Sequence, residues 1–539
     1  MGVFVLAFRG YCCYISRFME TQLAVPIAAK NTDEARRQIQ SARAAGADII
    51  ELRVDYLENL STDLVERLIA ETRRTGERPL PVIVTCRDRR EGGVIDYPLM
   101  LRVEVLIAAL KAGAEFIDVE YENFRSPEIR EPIQQVLSQN SKARLILSAH
   151  NFETKFDNIV KLFHEITDIC PEAIPKLVYT ANHINDCFEA FDLLNQAESD
   201  CIALCMGEAG LISRILAKKI GGFLTFASID EQKATAPGQL TVQQFKKLYR
   251  CSDITADTEL FGVIADPVGH SLSPAIHNAC FAEKGMNKLY LPLLVKGGSL
   301  EFDTFIINAR LRPWLHFHGF SVTIPHKHSA LEYVETNQGY VEPLAKKIGA
   351  ANTLLIGPNG KLAAYNTDYA GALDAITAGM GITRADLTAL PVAVVGAGGV
   401  SRAIVAGLSD AGATIKIYNR TLEKAEKLAT EFNCEFAPLD DVQNMDAKLI
   451  VNCTSIGMHP KIEATPVPTE ALNDNMAVFD TVYNPAQTLL LRQANDKGAK
   501  TIDGIAMFVN QAMAQFRLFA DTDGNPDLMQ NVVLERLSA

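Results

Sequence analysis

The chain has 539 residues, 48% of them hydrophobic and 22% charged, a globular composition with length for two to four domains that need no disulfide or metal staples. Intrinsic disorder and collagen-like repeats are excluded. With 52 Lys and Arg against 65 Asp and Glu, a net charge of −13 and no basic run, nucleic-acid partners are disfavoured and small-molecule substrates expected.

Residues 1–18 hold an apolar stretch, Met1 to Phe8 and Tyr11 to Ile15, broken by Arg9. It is too short to span a bilayer and lacks a small-residue cleavage site, so it reads as a dispensable leader with Met19 an alternative start. A signal anchor is the lesser alternative. The 11 cysteines show no paired zinc-ligand spacing. Cys12/Cys13 and Cys201/Cys205 fit neither a C-x-x-C knuckle nor a disulfide framework, which predicts reduced thiols, a cytoplasmic compartment, no membrane partner and no metal.

Residues 19–250 are expected to form one domain. Eight short apolar, β-branched runs fall at 22–28, 48–54, 81–86, 115–121, 144–150, 175–180, 201–206 and 223–229, with helical patterns between them. The first helix opens on Asn31 and Glu34 in capping-box spacing and closes near Gly46. The segments Ala45 to Ile50 and Ala112 to Ile117 echo each other at an offset that suits two β/α units, and this predicts a (β/α)₈ barrel. In that architecture chemistry gathers where strands end. The polar residues there are Glu51 and Arg53, Arg87 followed by Glu91, His150, Lys176, Ser213 and Arg214, and the run Lys233 to Gln239.

Singly, each lysine or arginine suits a snorkelling side chain or a rim ion pair. Jointly they suggest catalysis. An ammonium within an apolar strand loses hydration, which favours the neutral amine that attacks a ketone to form a Schiff base, so Lys176 is the candidate nucleophile. His150 can move a proton near neutral pH, and Arg53, Arg87 and Arg214 can fork onto an anionic substrate.

At Glu51-Leu52-Arg53, Thr85-Cys86-Arg87 with Glu91-Gly92-Gly93, Ser148 to Phe152, Lys176, Ile212-Ser213-Arg214 and Ala236 to Gln239, the segment resembles type I 3-dehydroquinate dehydratases. The resemblance implies an imine between Lys176 and the ring ketone, with His150 taking the neighbouring carbon proton and helping the adjacent hydroxyl leave as water. It also implies that Arg214, Thr235 and Gln239 bind the substrate carboxylate and close a loop over it. Thr235 replaces the Ser of many relatives, and Pro175 precedes the lysine.

Residues 251–258 are short and polar and read as a linker. Residues 259–387 are expected to form an α/β substrate-binding lobe, 388–504 a Rossmann lobe, and 505–539 C-terminal helices returning to the substrate lobe. Gly262 to Pro274 ends a strand in a turn and starts a helix, and Ser271 and Ser273 are each suited to capping it. At Val392 to Ala403 a strand runs into Gly396, Ala397, Gly398, Gly399, Val400 and Ser401 and then a helix, the context of a dinucleotide fingerprint. Ser401 stands where the third glycine is expected. The following strand ends in Asn419-Arg420-Thr421, an arginine replacing the acid that usually receives the ribose of NAD, which selects NADP.

Three more polar clusters follow: Gly319 to Lys327 with Ser321 and Thr323, Gly349 to Thr353 with Asn352, and Tyr365 to Asp368. Their residues are ordinary turn and helix-start types, yet together they offer an amine and a carboxylate for proton transfer. With Asn452 to Met458, Asp480 to Pro485, Asp503-Gly504 and Asn510-Gln511, they resemble shikimate dehydrogenases. The resemblance implies Lys327 and Asp368 as the catalytic pair. Ser271, Ser273, Thr323, Asn352, Tyr483 and Gln511 would bind substrate, and Gly396 to Ser401, Asn419 to Thr421 and Gly504 would bind NADP.

The expected function is bifunctional: dehydration of 3-dehydroquinate to 3-dehydroshikimate, then NADPH reduction to shikimate. Two alternatives stand beside it, a second half acting on quinate and a non-catalytic metabolite sensor. Hydroxyls at Ser271, Ser273 and Thr323 favour shikimate.

Overall fold

A computed structural model of the protein describes residues 21–74, 79–230 and 238–538. The leader at 1–18 and Thr235 lie outside the described residues. Two compact units divide between Asp257 and Thr258.

In the first unit, eight strands follow one another as β1 (Gln22–Ile27), β2 (Ile49–Arg53), β3 (Val82–Thr85), β4 (Phe116–Glu120), β5 (Arg144–Asn151), β6 (Ile174–Thr180), β7 (Ile202–Met206) and β8 (Leu224–Phe226). The sheet order is β7-β6-β5-β4-β3-β2-β1-β8, each paired neighbour being parallel. At the remaining seam the Phe223 amide donates to the Cys201 carbonyl, 2.9 Å. This is the expected barrel, with β8 shorter than its predicted run.

The first helix shows how local sequence sets the turns. The Asn31 side chain accepts from the Glu34 amide at 3.0 Å, and the chain turns out of the helix Thr32–Ala45 at Gly46, φ 87°. Glu34 reaches back to the Lys30 amide rather than to Asn31.

Inside the barrel, Ile49, Ile83, Phe116, Ile146, Ile174, Ile202 and Leu224 join one apolar cluster. Side chains alternate along a strand, so the residues two positions on point the same way one level higher. Those are Glu51, Thr85, Asp118, Ser148, Lys176, Leu204 and Phe226. The next step up brings Arg53, Arg87, Glu120, His150, Val178 and Met206. The barrel is therefore oily below and charged toward the C-terminal ends of its strands.

The expected linker carries a short turn at Cys251–Asp253, and it is fastened to the first unit by two lysines. Lys218 Nζ donates to the Ser252 carbonyl, 2.7 Å, and Lys219 Nζ to that of Ala256.

The second unit contains two sheets. One runs β10-β9-β11-β13-β14-β12, with β9 (Glu259–Ala265), β10 (Lys288–Leu294), β11 (Phe317–Val322), β12 (Tyr340–Val341), β13 (Thr353–Ile356) and β14 (Leu362–Tyr365). It is mixed, because β13 runs antiparallel to both β11 and β14. The other is wholly parallel in the order β17-β16-β15-β18-β19-β20, with β15 (Pro391–Val395), β16 (Thr414–Asn419), β17 (Glu435–Pro438), β18 (Leu449–Asn452), β19 (Ala477–Asp480) and β20 (Lys500–Ile502). This is the 3-2-1-4-5-6 order of a dinucleotide-binding sheet, whose switch point lies at the ends of β15 and β18.

Helix Gly504–Ala520 follows β20 and packs against the mixed sheet. Phe519 lies 5.0 Å from the Phe261 ring, and Gln515 accepts from Ser321 and donates to the Asn352 carbonyl. Among the described residues no helix is long and apolar enough to cross a membrane.

Candidate active sites

At the mouth of the barrel one cavity is lined by Glu51, Arg53, Arg87, His150, Lys176, Arg214 and Gln239. Ser213 does not join them: its buried Oγ accepts from the Cys205 amide at 2.8 Å and donates to the Gly210 carbonyl at 2.7 Å. Glu91, Phe152 and Phe226 share the lining.

Lys176 is buried, but its surroundings are anionic rather than simply apolar, which corrects the environment expected from its strand. Nζ donates to Asp118 Oδ2 at 2.7 Å, stands 3.6 Å from Glu51 Oε1 and lies 4.7 Å from the Phe226 ring centre. Thr85 donates to the same Glu51 oxygen, 2.9 Å. Arg87 is likewise occupied: it meets Asp118 at 2.8 Å, Glu120 at 3.0 Å and Ser148 Oγ at 2.6 Å. Arg53 is forked onto Asp55 at 2.9 and 2.8 Å.

Arg214 differs. It is 3% exposed, its Nε has no partner among the described residues, and burial lowers its pKa to about 10. A buried cation without a carboxylate partner is the natural receiver of a substrate anion, since its desolvation is otherwise uncompensated. Of the three arginines expected to hold the anion, Arg214 alone forms no ion pair among the described residues.

His150 Nδ1 stands 2.9 Å from Glu91 Oε2. Burial, then the positive charges of Arg87 and Lys176, hold its pKa well below the ordinary imidazole value. Burial also pushes Glu91 up to about 7. Asp118, Glu120 and the Glu91 pairing escape a reading that inspects strand ends one at a time. The detectable signal was the alternation Phe116-x-Asp118-x-Glu120, two acids continuing the inward row of β4.

In the second unit a cleft is lined by Ser271, Ser273, Thr323, Lys327, Asn352, Asp368, Tyr483, Gly504 and Gln511, all of them expected, and by Val400 of the glycine turn. Lys327, first residue of helix Lys327–Thr336, meets Asp368 Oδ2 at 2.6 Å. Asp368 sits in the first turn of helix Thr367–Met380, where free backbone amides favour a carboxylate. Asn352 Nδ2 donates to its other oxygen, 2.9 Å, while Asn352 Oδ1 accepts from the Thr367 amide at 2.8 Å. That helix approaches Gly504–Ala520 through Gly371, where a Cβ would fall 2.6 Å from the Gln511 amide nitrogen. Neither serine is the helix cap expected from sequence, because Leu272 holds that position without a side-chain bond; Ser271 Oγ accepts from the Ser273 amide at 3.3 Å in the turn before the helix, and both serines face the cleft. Tyr483 stacks on Phe508, ring centres 5.2 Å apart, and burial raises its phenol pKa.

The glycine turn suits a dinucleotide. Gly396 has φ 111°, and a Cβ there would meet Thr454 at 3.0 Å, while a Cβ on Gly398 or Gly399 would meet nothing within 4 Å. The open space lies at the N-terminus of helix Gly399–Asp410, where amides and helix dipole receive phosphate. Ser401, in place of the third glycine, turns inward and accepts from the Gly398 amide at 3.1 Å. The Gly396 amide donates to the Tyr418 carbonyl, 2.8 Å, which brings Asn419-Arg420-Thr421 beside the turn, with Arg420 exposed. Lys424 and Lys427 line the same space with Ala397, Gly398 and Gly399. Sequence reasoning passed over both lysines, although they lie one and two helical turns beyond Arg420.

Residues 23–256 match the family described as type I 3-dehydroquinase, 263–354 the shikimate dehydrogenase substrate binding domain, and 381–480 the shikimate / quinate 5-dehydrogenases. A bifunctional 3-dehydroquinate dehydratase/shikimate dehydrogenase, chloroplastic, of Arabidopsis thaliana is 35% identical over 531 residues, covering 95% of this chain and 84% of that protein. A shikimate dehydrogenase (NADP(+)) of Methanosarcina mazei is 40% identical over 292 residues, 52% of this chain and 99% of its own. The crystal structure of a Thermus thermophilus shikimate 5-dehydrogenase with NADP(H) and shikimate is 34% identical, with a TM-score of 0.46 over 52% of this chain and 99% of that one. The chain belongs to the family of bifunctional 3-dehydroquinate dehydratases/shikimate dehydrogenases.

Proposed function

We propose that the barrel dehydrates 3-dehydroquinate to 3-dehydroshikimate and that the second unit reduces this ketone to shikimate with NADPH. The observation that carries the reading is that two complete reactive groupings, Lys176 with His150 and Lys327 with Asp368, occur in one chain, each within a cavity lined by polar side chains. The product of the first reaction is the substrate of the second.

In the barrel, Lys176 Nζ attacks the ring ketone, and the ketone oxygen leaves as water to give a protonated imine. The imine draws electron density from the neighbouring carbon. His150 takes the proton there, the adjacent hydroxyl leaves as a second water, and hydrolysis consumes one water to free Lys176. The net change is loss of one water. Arg214 holds the carboxylate, with Thr235 and Gln239 closing the site, while Glu51, Arg53 and Arg87 order the hydroxyl-bearing face.

In the cleft, Ser271, Ser273, Thr323, Asn352, Tyr483 and Gln511 bind the substrate carboxylate and hydroxyls. Gly396 to Ser401 and Gly504 frame the dinucleotide, and Asn419, Arg420 and Thr421 receive its extra phosphate. NADPH supplies the hydride when bound. Lys327 donates a proton to the developing alkoxide, and Asp368 orients the ammonium. The domain limits proposed from sequence divide these roles, the aqueous compartment being the cytoplasm. Free thiols at the nine described cysteines support that compartment.

The test is to incubate the full chain with 3-dehydroquinate and NADPH, following enone absorbance and NADPH oxidation. Lys327→Ala should accumulate enone without oxidising NADPH, and Lys176→Ala should do neither. A parent chain that changes neither signal removes the reading, and quinate oxidation faster than shikimate oxidation would reassign the second half.

A further inference from the structure

The barrel site contains a carboxylate to which none of the steps above gives a part. Asp118, on β4, has a fully buried side chain. Its Oδ2 accepts from Lys176 Nζ at 2.7 Å and from Arg87 Nη2 at 2.8 Å, and its Oδ1 accepts from Ser148 Oγ at 2.6 Å. The three donors stand on or just beyond three other strands, and Arg87 is held in turn by Glu120. The carboxylate cannot swing away without breaking all three contacts. Burial is the strongest influence on it and opposes its charge, yet Arg87 and Lys176 together hold its pKa well below the usual carboxylate range.

We propose that Asp118 is a catalytic residue of the dehydratase, the fixed counter-ion of the cationic imine on Lys176. The proposal rests on the reading of Lys176 as the imine-forming lysine. When Nζ bonds the ketone carbon and the oxygen departs as water, the nitrogen keeps one proton and a positive charge. That charge makes the neighbouring C–H acidic, and a neutral imine draws electrons far less. A pre-placed anion beside Nζ favours the protonated form and needs no reorganisation as the reaction proceeds. Asp118 exchanges no atom with the substrate and stays a carboxylate throughout.

The charged groups facing Nζ from each strand leave this task to Asp118. Glu51 on β2 is farther away, at 3.6 Å, and shares its oxygen with Thr85. Arg87 beyond β3 and His150 on β5, when protonated, disfavour a second cation. Glu120 on β4 is engaged by Arg87 and Arg102. β7 and β8 contribute Leu204 and the Phe226 face.

The experiment measures dehydratase kcat against pH, with borohydride trapping, in full-length parent, Asp118→Asn and Asp118→Glu. Asp118→Asn should lower kcat by about 100-fold or more, the scale of losing one pre-placed electrostatic partner. It should also move the alkaline limb down by roughly one pH unit or more, because only the more distant Glu51 then offsets Arg87 at the imine. Asp118→Glu should keep the limb close to the parent's while lowering kcat, and it carries the test if the Asn variant does not fold. An Asn variant within about threefold of the parent, an Asn limb that does not move, or, where only the Glu variant folds, a Glu limb displaced by a pH unit or more overturns the proposal. A parent that gives no substrate-dependent adduct on Lys176 would instead remove the imine reading itself.

Discussion

Between His150 and Glu91, burial drives both partners toward their neutral forms, and the position of one proton decides whether the imidazole can act as a base. When Glu91 is protonated, its O–H donates to Nδ1 and the ring proton sits on Nε2, leaving no lone pair for the substrate. When Glu91 is ionised, it accepts from Nδ1–H and Nε2 is free to take a proton. Glu91 is pushed up to about 7, so the base-competent form grows as pH rises through that region. Dehydration should therefore weaken below about pH 7, approaching a tenfold fall in kcat per pH unit, with an apparent pKa that belongs to the pair. Glu91→Gln, whose amide oxygen can accept from Nδ1–H at any pH, should move this acid limb down by at least one unit. An unmoved limb in the Gln variant would show that another group sets it.

At the level of elements, the glycine turn separates what folding needs from what binding needs. Gly398 has φ −98° and ψ −168°, an extended conformation any residue adopts, and a Cβ there would meet nothing within 4 Å among the described residues. Gly398→Ala should leave the thermal midpoint within a degree or two. Its methyl would stand in the space offered to the dinucleotide, so the Kd for NADPH should rise about tenfold or more, the scale of a clash worth ~1.4 kcal/mol. Fluorescence titration of NADPH against the full chain reads this directly, and unchanged affinity would place the pyrophosphate elsewhere.

The same turn shows why some elements were legible in the sequence. A β-branched strand running into glycines is a local signal, as are the runs that marked all eight barrel strands and the Asn31 and Gly46 helix ends. Partnership across strands is not local. Asp118 and Ser148 are separated by 30 residues and Arg87 and Ser148 by 61, yet they share one buried cluster. Nothing near Lys176 in sequence announces the carboxylate at its amine. Gln515 belongs to the same class: it lies 194 residues from Ser321, and its bond depends on the last long helix returning to the mixed sheet. The mixed order of that sheet was equally hidden, because β13 and β14 are four residues each and carry no periodicity long enough to orient them.

At the level of the whole molecule, the two units close their own cores. The barrel cluster runs from Ala24 to Phe226, while Ala372, Val394, Ile404, Ile417, Val451, Phe479 and Ile502 pack together in the second unit. Damage to one core should therefore leave the other's melting unchanged, which Gly396→Ala tests. Gly396 is buried with φ 111°, and an added methyl would press on Thr454 at 3.0 Å and Cys453 at 3.3 Å. Forcing a side chain into left-handed backbone costs about 1–2 kcal/mol before that crowding is counted. In a unit of this size each kcal/mol lowers a midpoint by roughly 2–4 °C, so the dehydrogenase transition should drop by about 2–8 °C. Calorimetry of the full chain should then resolve one shifted and one stationary transition, with dehydratase kcat unchanged at 25 °C. If both transitions move together, the two units unfold as one cooperative block, and fusion has joined their stabilities as well as their reactions.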